Sequence, residues 1–484
     1  MNKTIYGDRC QLVSECFERP GGPNKVLIVP MDMAKTEHTA MICRGTGEYL
    51  LRRPLRVYND AEGIDFLVGR IKAMMRKHQI PQDNVLVGGE DPGEYAFNFI
   101  HGVRLAGFPF VCVNAAVAST LRNNARASSD VIDLDGIAQA IIQQCGRCMR
   151  EFDALYAPMK SAARARRRLR RDETAWKNRI HKSIDILFPG FLSKTDTGMV
   201  PFSESCLSFL EDEFSLVKIR HMRLNTVVKR LRKGHTHRAE EAAVKIKNLA
   251  DRALAPPSQI VPYESASLAA KVSMIRAVRQ CTVMQETEMA RCLVQTPGFF
   301  LTSIPGIGVP LAGHITAEYG PGDTWAPADN MASYAGIVPR QNQTGGAGRP
   351  PKIGHLPLDA NRIAKDYLLQ AAYHVGTTGQ HRLQKYYMKA ENEQRCSRLA
   401  TAKLFLRIAR QMVRTEMIYL PEEILHPEIQ LPPGYVLAYY EAVTKAVEAK
   451  WKKYDLSGIP DEKNYLVKWK ETVKNVATIS THNQ

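Results

Sequence analysis

The hydrophobic pattern predicts an α/β domain over residues 26–150, then a long helical segment, then a second and mainly α domain. Two apolar runs that read as strands, VLIVPMD and NVLVGGE, each end in a carboxylate, Asp32 and Glu90. A third stretch, SSDVIDLDGIAQAII, carries Asp130 and Asp133 at the start of a predicted helix, and their spacing puts both on one face.

The elements follow in order. Residues 1–25 are polar, end in PGGPN and are expected to form a flexible lead-in. VLIVPMD, TAMICRG and GEYLLRRPLRV read as three strands, the last two turning at GTG. A helix is expected over 61–79, a strand at NVLVGGE, a helix over 92–106, a strand at FPFVCVN, and finally the helix of Asp130. This β–β–β–α–β–α–β–α order is that of RNase H-like domains, where the first and fourth strands lie side by side under a closing helix. Pro30 is out of place in the first strand, since proline removes a ladder donor.

Four carboxylates that converge repel one another and raise each other's pKa unless divalent cations neutralise them. Hard cations such as Mg²⁺ or Mn²⁺ take oxygen ligands, and two of them about 3.5–4 Å apart can assist attack at a phosphate. Each acid alone also fits a plainer role: Asp at a strand end forms turns, and Asp130 could be the N-cap of its helix. Their order along the chain favours metal-dependent chemistry on a nucleic-acid backbone.

Composition is consistent with that partner. The 484 residues hold 66 Lys+Arg against 49 Asp+Glu, a formal net charge of +17, which favours a polyanion such as DNA or RNA. No run of eighteen or more apolar residues occurs and the start lacks a signal-peptide core, so the expectation is a cytoplasmic, nucleoid-associated protein with no membrane partner. Of ten cysteines only Cys145 and Cys148 make a CxxC, inside a helical pattern and without a second pair, so the thiols are read as reduced.

Residues 151–295 read as a basic helical linker. Arg164, Arg166, Arg167, Arg168, Arg170 and Arg171 fall within eight positions, followed by Lys177 and Arg179. A charge run is commonly a solvated helix face. Six arginines this dense surround more than one face and need phosphates or acidic partners, which favours nucleic-acid contact. A second basic helix is expected at about 207–232 and another over 264–294; long helices without a compact core of their own suggest a coiled coil or an oligomer contact.

Residues 296–415 form the expected C-terminal domain. FFLTSIPGIGVPLAGHITAEYG resembles the hairpin of helix–hairpin–helix modules, with Gly306 and Gly308 letting backbone N–H groups approach a phosphate; a tight helix connection explains it equally well. The loop RQNQTGGAGRPPKIG is Gly-rich and basic and carries Arg340 and the hydroxyl of Thr344. Two helices follow over 358–420, separated by GTTG, and the tail 416–484 is Pro-punctuated, then helical, with no assignable chemistry.

Together these motifs resemble the DEDD-type insertion-sequence transposases, the IS-one-ten family with its IS-eleven-eleven branch. Met31-Asp32-Met33-Ala34-Lys35, Glu90 with Gly93 and Tyr95, Asp130-Val131-Ile132-Asp133 with Ala138, Ile304 to Gly308, Gly336 to Pro339 and Thr344-Gly345-Gly346 match the family's motifs in order. The resemblance implies a RuvC-like domain, a coiled-coil linker and a transposase domain whose hydroxyl attacks DNA. It also implies Mg²⁺ on the four acids, action as a dimer or tetramer, and direction by a guide RNA encoded in the element. Two departures stand out: Thr344 replaces the usual Ser, which crowds in-line attack, and Asp359-Ala360 stands where relatives are basic and glycine-containing. The alternatives are a RuvC-like endonuclease that only hydrolyses, and a nucleic-acid-binding relative with a dead site.

Overall fold

Leu27 to Met31 are fully buried, and the strand they form, β1 (Leu27–Asp32), lies inside a mixed seven-stranded sheet. The computed structural model describes residues 11–90, 95–122, 129–148, 155–211, 213–322, 325–339, 341–342, 352–357, 360–426 and 428–482. These fall into two units, Met1–Glu151 and Phe152–Gln484.

In the first unit the sheet adds β2 (Glu37–Ala40), β3 (Cys43–Arg44), β4 (Leu55–Tyr58), β5 (Val85–Glu90), β6 (Phe110–Val113) and β7 (Arg147–Cys148). The spatial order is β4-β2-β1-β5-β6-β7, with β3 also paired to β1. β1, β5 and β6 run parallel, while β2, β3, β4 and β7 pair antiparallel. Parallel neighbours require crossovers, and α2 (Ala61–His78) and α3 (Phe97–Leu105) supply them before β5 and β6. After β6 come α4 (Ala115–Thr120) and α5 (Asp130–Ile142). A mixed sheet with helices in this order is consistent with an RNase H-like domain.

Alternation along the strands divides the core into two layers. Leu27, Val29, Met31, Val85, Val87 and Phe110 pack with residues of α2 and α3. Ile28, Leu86, Val111 and Val113 pack with Ile137, Ala138, Ala140 and Ile141 of α5. Even-numbered positions of β1 and β5 therefore face α5. Gly88 permits the close approach: a Cβ there would stand 2.7 Å from both Ile141 Cδ1 and the Val111 carbonyl oxygen. Gly88→Ala is expected to lift α5 from the sheet and cost about 1–3 kcal/mol, read as a lower urea midpoint; an unchanged midpoint would mean the helix yields freely.

Several local expectations change. Residues 11–25 are not a loose lead-in: α1 (Gln11–Glu18) buries Val13 and Cys16, and Arg19 donates to the Asp83 carbonyl (2.6 Å) and Asn84 Oδ1 (2.9 Å). The strand expected across GEYLLRRPLRV is confined to Leu55–Tyr58, because Pro54 removes a donor and Arg52 and Arg53 face solvent. The turn at GTG does form, with the Gly47 amide donating to Arg44 O (2.9 Å) and the Arg44 amide to Glu48 O (2.8 Å). Pro30 sits opposite Gly88, and its carbonyl accepts from the Met41 amide. The CxxC lies past the end of α5, with Gln144 at φ 57 and Cys148 in β7.

The second unit is mostly helical. It holds α6 (Tyr156–Leu187), α7 (Lys194–Thr197), α8 (Glu204–Leu210), α9 (Leu216–His221), α10 (Leu224–Lys233), α11 (Ala239–Arg252) and α12 (Val261–Leu293). After a 3₁₀ helix at Pro297–Ser303 come α13 (Val309–Tyr319), α14 (Ala328–Tyr334), β8 (Gln341–Asn342), β9 (Lys352–Ile353), α15 (Arg362–Thr377), α16 (Arg382–Asn392) and α17 (Ser397–Thr415). The tail adds α18 (Glu422–Leu425), α19 (Tyr435–Trp451) and α20 (Tyr465–His482).

α6 and α12 run antiparallel beside each other, as the pairs Arg166–Glu286 and Glu173–Arg279 require. Each end of the pair belongs to a different core. Ile180, Ile184, Leu187, Leu268, Val272 and Ile275 close over α7 to α11, so this region has a compact core after all. Met159, Ala163, Met289 and Leu293 join the core made by the residues from Phe299 to Val473. The helix expected over 207–232 is three short ones, interrupted where Glu213 takes φ 41 and Ser215 caps α9 by accepting from the Lys218 amide. The run from 380 to 415 likewise splits at Gln394, φ 54. Among the described residues no helix is long and apolar enough to cross a membrane.

Candidate active site

Asp32 and Glu90 end two adjacent parallel strands in which Met31 stands opposite Gly89, one residue before each acid. Strand parity turns both carboxylates to the α5 face, and both are half-buried. Described residues just beyond them are tied together. Asn59 Nδ2 donates to the carbonyls of Lys35 and Tyr95 (3.0 Å each), Tyr95 Oη donates to the Met33 carbonyl (3.2 Å), and the Ala34 amide donates to the buried His38 Nδ1 (3.2 Å).

The helical pair arrives from above the same face. Ser129 is the N-cap of α5, its hydroxyl accepting from the Ile132 amide (3.4 Å), so Asp130 is not the cap and its carboxylate is exposed. Asp133, one turn on, is half-buried. Asp135 is set apart by the hydrogen bond it accepts from Tyr49 Oη (2.9 Å).

The electrostatics show that these acids are neighbours. Burial raises the Asp32 pKa above the ordinary carboxylate value, and the charges of Asp133 and Asp130 raise it further, against a lowering by Arg122. Burial also raises Glu90, Arg122 lowers it, and Asp32 and Asp133 add to the rise. Arg122, which the sequence reading passed over, is the cation in this cluster: Nη1 lies 3.0 Å from Asp133 Oδ1. The geometry is poor for a hydrogen bond, and among the described residues neither Asp133 Oδ1 nor Arg122 Nε, both buried, has a hydrogen-bond partner. In the sequence it is one of two arginines, Arg122 and Arg126, between FPFVCVN and SSD, and nothing local distinguishes it.

Four hard oxygen donors that repel one another, one with a buried unpaired oxygen, fit a divalent cation in chemistry. The side chains as they stand do not close around an ion: among the described residues no three His, Cys, Asp or Glu form a set that could hold one. The Arg122 guanidinium takes up the positive-charge role in this arrangement.

Most of the expected nucleic-acid residues lie on α6, and many meet carboxylates of the second unit instead. Arg164 Nε donates to Glu318 Oε1 (3.1 Å), Arg166 Nε to Glu286 Oε1 (2.7 Å), and Arg167 pairs with Asp366. Arg170 Nη1 (2.7 Å) and Lys177 Nζ (3.0 Å) both reach Glu173, while the Arg179 guanidinium stacks over the Trp176 ring (4.3 Å). Arg166 Nη1 also lies 3.3 Å from Nε2 of the buried His314, which stacks on Tyr367 with ring centroids 3.7 Å apart. Burial, with Arg166 and Arg167 nearby, pushes His314 down to about 3 and keeps it neutral, so it can accept from the arginine. The density of arginines thus has an internal use in joining α6 to α12, α13 and α15. Arg168 and Arg171 are exposed.

A polar recess of about 540 Å³ lies between α6 and α15, lined by Arg166, Arg167, Arg170, Arg171, Tyr367 and Gln370 among others. If a duplex docks here, replacing Arg170 and Arg171 with Ala should reduce the slope of log K against log[salt] by about 1.8. An unaltered slope would leave these arginines as a solvated face.

Gly306 and Gly308 flank a turn between the 3₁₀ helix and α13. Gly306 has φ +83, and a Cβ there would meet the His374 carbonyl oxygen at 2.7 Å, so α15 packs directly on the turn. Gly308 is the N-cap of α13. Arg340, Thr344, Gly345, Gly346 and Asp359 lie outside the described residues.

Comparison with known proteins bears on both regions. A family model for a DEDD-type IS110 transposase matches residues 29–189, and one described as the Transposase IS116/IS110/IS902 family matches residues 300–388. The chain is also similar to an uncharacterized 43.6 kDa protein of insertion element IS110 from Streptomyces coelicolor, 27% identical over 172 residues. That alignment covers 36% of this chain and 40% of the relative, so the likeness spans about two fifths of its length.

Proposed function

The chain belongs to the IS110-type family of insertion-sequence transposases, and from that premise we propose that it is a DNA transposase that cuts and rejoins DNA strands. Its first unit would supply a four-carboxylate site and its second a hydroxyl nucleophile, Thr344. A guide RNA from the same element would direct it to its target, and it would work as a dimer or tetramer in the cytoplasm, on the nucleoid. The paired long helices α6 and α12 would serve as the coiled-coil linker, and the turn at Pro305–Gly308 as the hairpin of a helix–hairpin–helix-like element.

The observation that carries the reading is the shared face of Asp32 and Glu90 under the N-terminal turn of α5, within electrostatic reach of Asp130 and Asp133. Acids grouped this way raise the energy of the folded chain, and a fold keeps such a cost where function needs it. Asp32, Glu90, Asp130 and Asp133 would hold Mg²⁺ or Mn²⁺. When bound, the ions would neutralise charge on the scissile phosphate and ease loss of a proton from the nucleophile.

The chain's own groups do the rest. β1 and β5, central in the sheet, place two acids at their C-terminal ends, and Ser129 rather than Asp130 caps α5. Arg122 balances charge near Asp133. Thr344 Oγ would attack phosphorus as one deoxyribose oxygen leaves, giving a phosphothreonine link. Rejoining reverses this step with a different DNA hydroxyl, so the bond energy is conserved. Arg168, Arg171, the recess beside α15 and Arg340 would meet the phosphate backbone, with Gly306 and Gly308 offering backbone N–H groups.

A strand-cleavage assay on DNA bearing the element's ends, with Mg²⁺ and with a chelator, tests the proposal. Metal-dependent cleavage with protein bound covalently to one end supports it; metal-independent or absent cleavage under matched conditions rejects it. One specific observation favours a second reading, hydrolysis alone: the extra methyl of Thr344 crowds the attack, and a water would then leave a free hydroxyl end.

A further inference from the structure

Lys450, in the last turn of α19, directs its ammonium entirely at backbone. Nζ donates to the carbonyl oxygens of Thr302 (2.5 Å), Ile304 (3.3 Å) and Ile307 (2.8 Å). Three N–H donors meet three acceptors, the full capacity of an ammonium. The acceptors sit at the end of the 3₁₀ helix and across the Pro305–Gly308 turn, all within one six-residue stretch. Among the described residues no carboxylate pairs with Lys450, and burial pushes its pKa down to about 8. The next residue grips the same place: Trp451 Nε1 donates to Thr302 Oγ1 (3.2 Å), and its ring packs against Phe299.

Backbone carbonyls turned toward one point replace the hydration shell of a weakly hydrated univalent cation. The Ile304 carbonyl also accepts from the Ile307 amide (3.1 Å), but without the ammonium those of Thr302 and Ile307 would each lose a hydrogen bond that water supplied in the unfolded chain. We propose that Thr302, Ile304 and Ile307 form a carbonyl cradle for a univalent cation, which this chain fills with the tethered ammonium of Lys450. The tail residues beyond 416 thereby hold the turn in shape. With the ammonium removed, the cradle accepts K⁺ or NH₄⁺, whose size and charge match the lost group.

The test is the thermal melting of the full chain carrying Lys450→Met, compared at equal ionic strength in potassium, ammonium and tetramethylammonium chloride. In tetramethylammonium, too large to enter and lacking N–H groups, the variant should melt about 5 °C below the parent. Potassium or ammonium should recover at least half of that fall, while the parent melts alike in all three salts. A lysine that only covers a helix end predicts no preference among the salts, and equal variant melting in all three overturns the cradle.

Should Lys450→Met give no folded protein, the parent decides. Under limited acylation read by mass spectrometry, Lys450 should react at least about tenfold more slowly than Lys445 and Lys452, which are exposed. Labelling of Lys450 at their rate overturns the proposal.

Discussion

Asp32→Asn is expected to leave a folded protein without strand cleavage, a loss of about 10²–10³-fold or more, the scale seen when a principal electrostatic group is removed from an active site. It should also melt at a higher temperature than the parent in the absence of metal. The sign follows from the raised pKa. Asp32 binds its proton more tightly folded than unfolded, because burial and the charges of Asp133 and Asp130 disfavour the carboxylate. Glu90 behaves alike through burial, Asp32 and Asp133. For such groups the folded state holds more protons than the unfolded state from about pH 4 upward, until the raised pKa is passed. Stability from this site therefore falls as pH rises through that window and stays lower above it. Measured against the double variant Asp32→Asn/Glu90→Gln, the metal-free parent should gain stability on acidification toward about pH 4, because the carboxylates outside this site are common to both. Calorimetry across pH, beside the cleavage assay, checks both halves. A mutant that loses cleavage and also melts lower would mark Asp32 as a structural acid. If Asp130→Asn alters metal affinity and nothing else, the chain is a binding protein with a dead site.

Thr344→Ala should abolish both the covalent protein–DNA adduct and strand joining, while Thr344→Ser keeps them. Serine offers the same hydroxyl with one methyl fewer beside the attacking oxygen, so the in-line approach is at least as open. The measurement is denaturing electrophoresis of labelled DNA after quenching, with the adduct mapped by mass spectrometry. Cutting that persists in Thr344→Ala and leaves a free hydroxyl end would transfer the attack to water and favour the endonuclease. Adduct formation at another residue would move the nucleophile without touching the acids.

Much of the first unit could be read from the chain because its signals are local. Short apolar runs ending in acids, an amphipathic stretch opened by Asp130, and turn residues between them mark most of the segments that become strands and helices. The side each acid would take was not legible. β1 and β5 are buried on both faces, so their sequences are nearly continuous apolar runs with no alternation to mark inside from outside. Likewise Ser129 and Asp130 are both good caps by composition, and only the backbone at Ser129, extended at φ −153, decides between them.

The arginines of α6 show the same division. Their density is plain in the sequence, but Glu286, Glu318 and Asp366 lie 120 to 199 residues away along the chain, and no local pattern predicts such meetings. Lys450 reaches back 148 residues to Thr302 in the same manner. By itself the sequence determined the types of the main elements of the first unit, the order of the acids and the family motifs, since these depend on propensities and spacings within a few residues. Tertiary structure alone decided which carboxylates share a face, which cations they meet and which carbonyls a lysine fills, because charge and hydrogen bonding act through space between residues that only packing brings together.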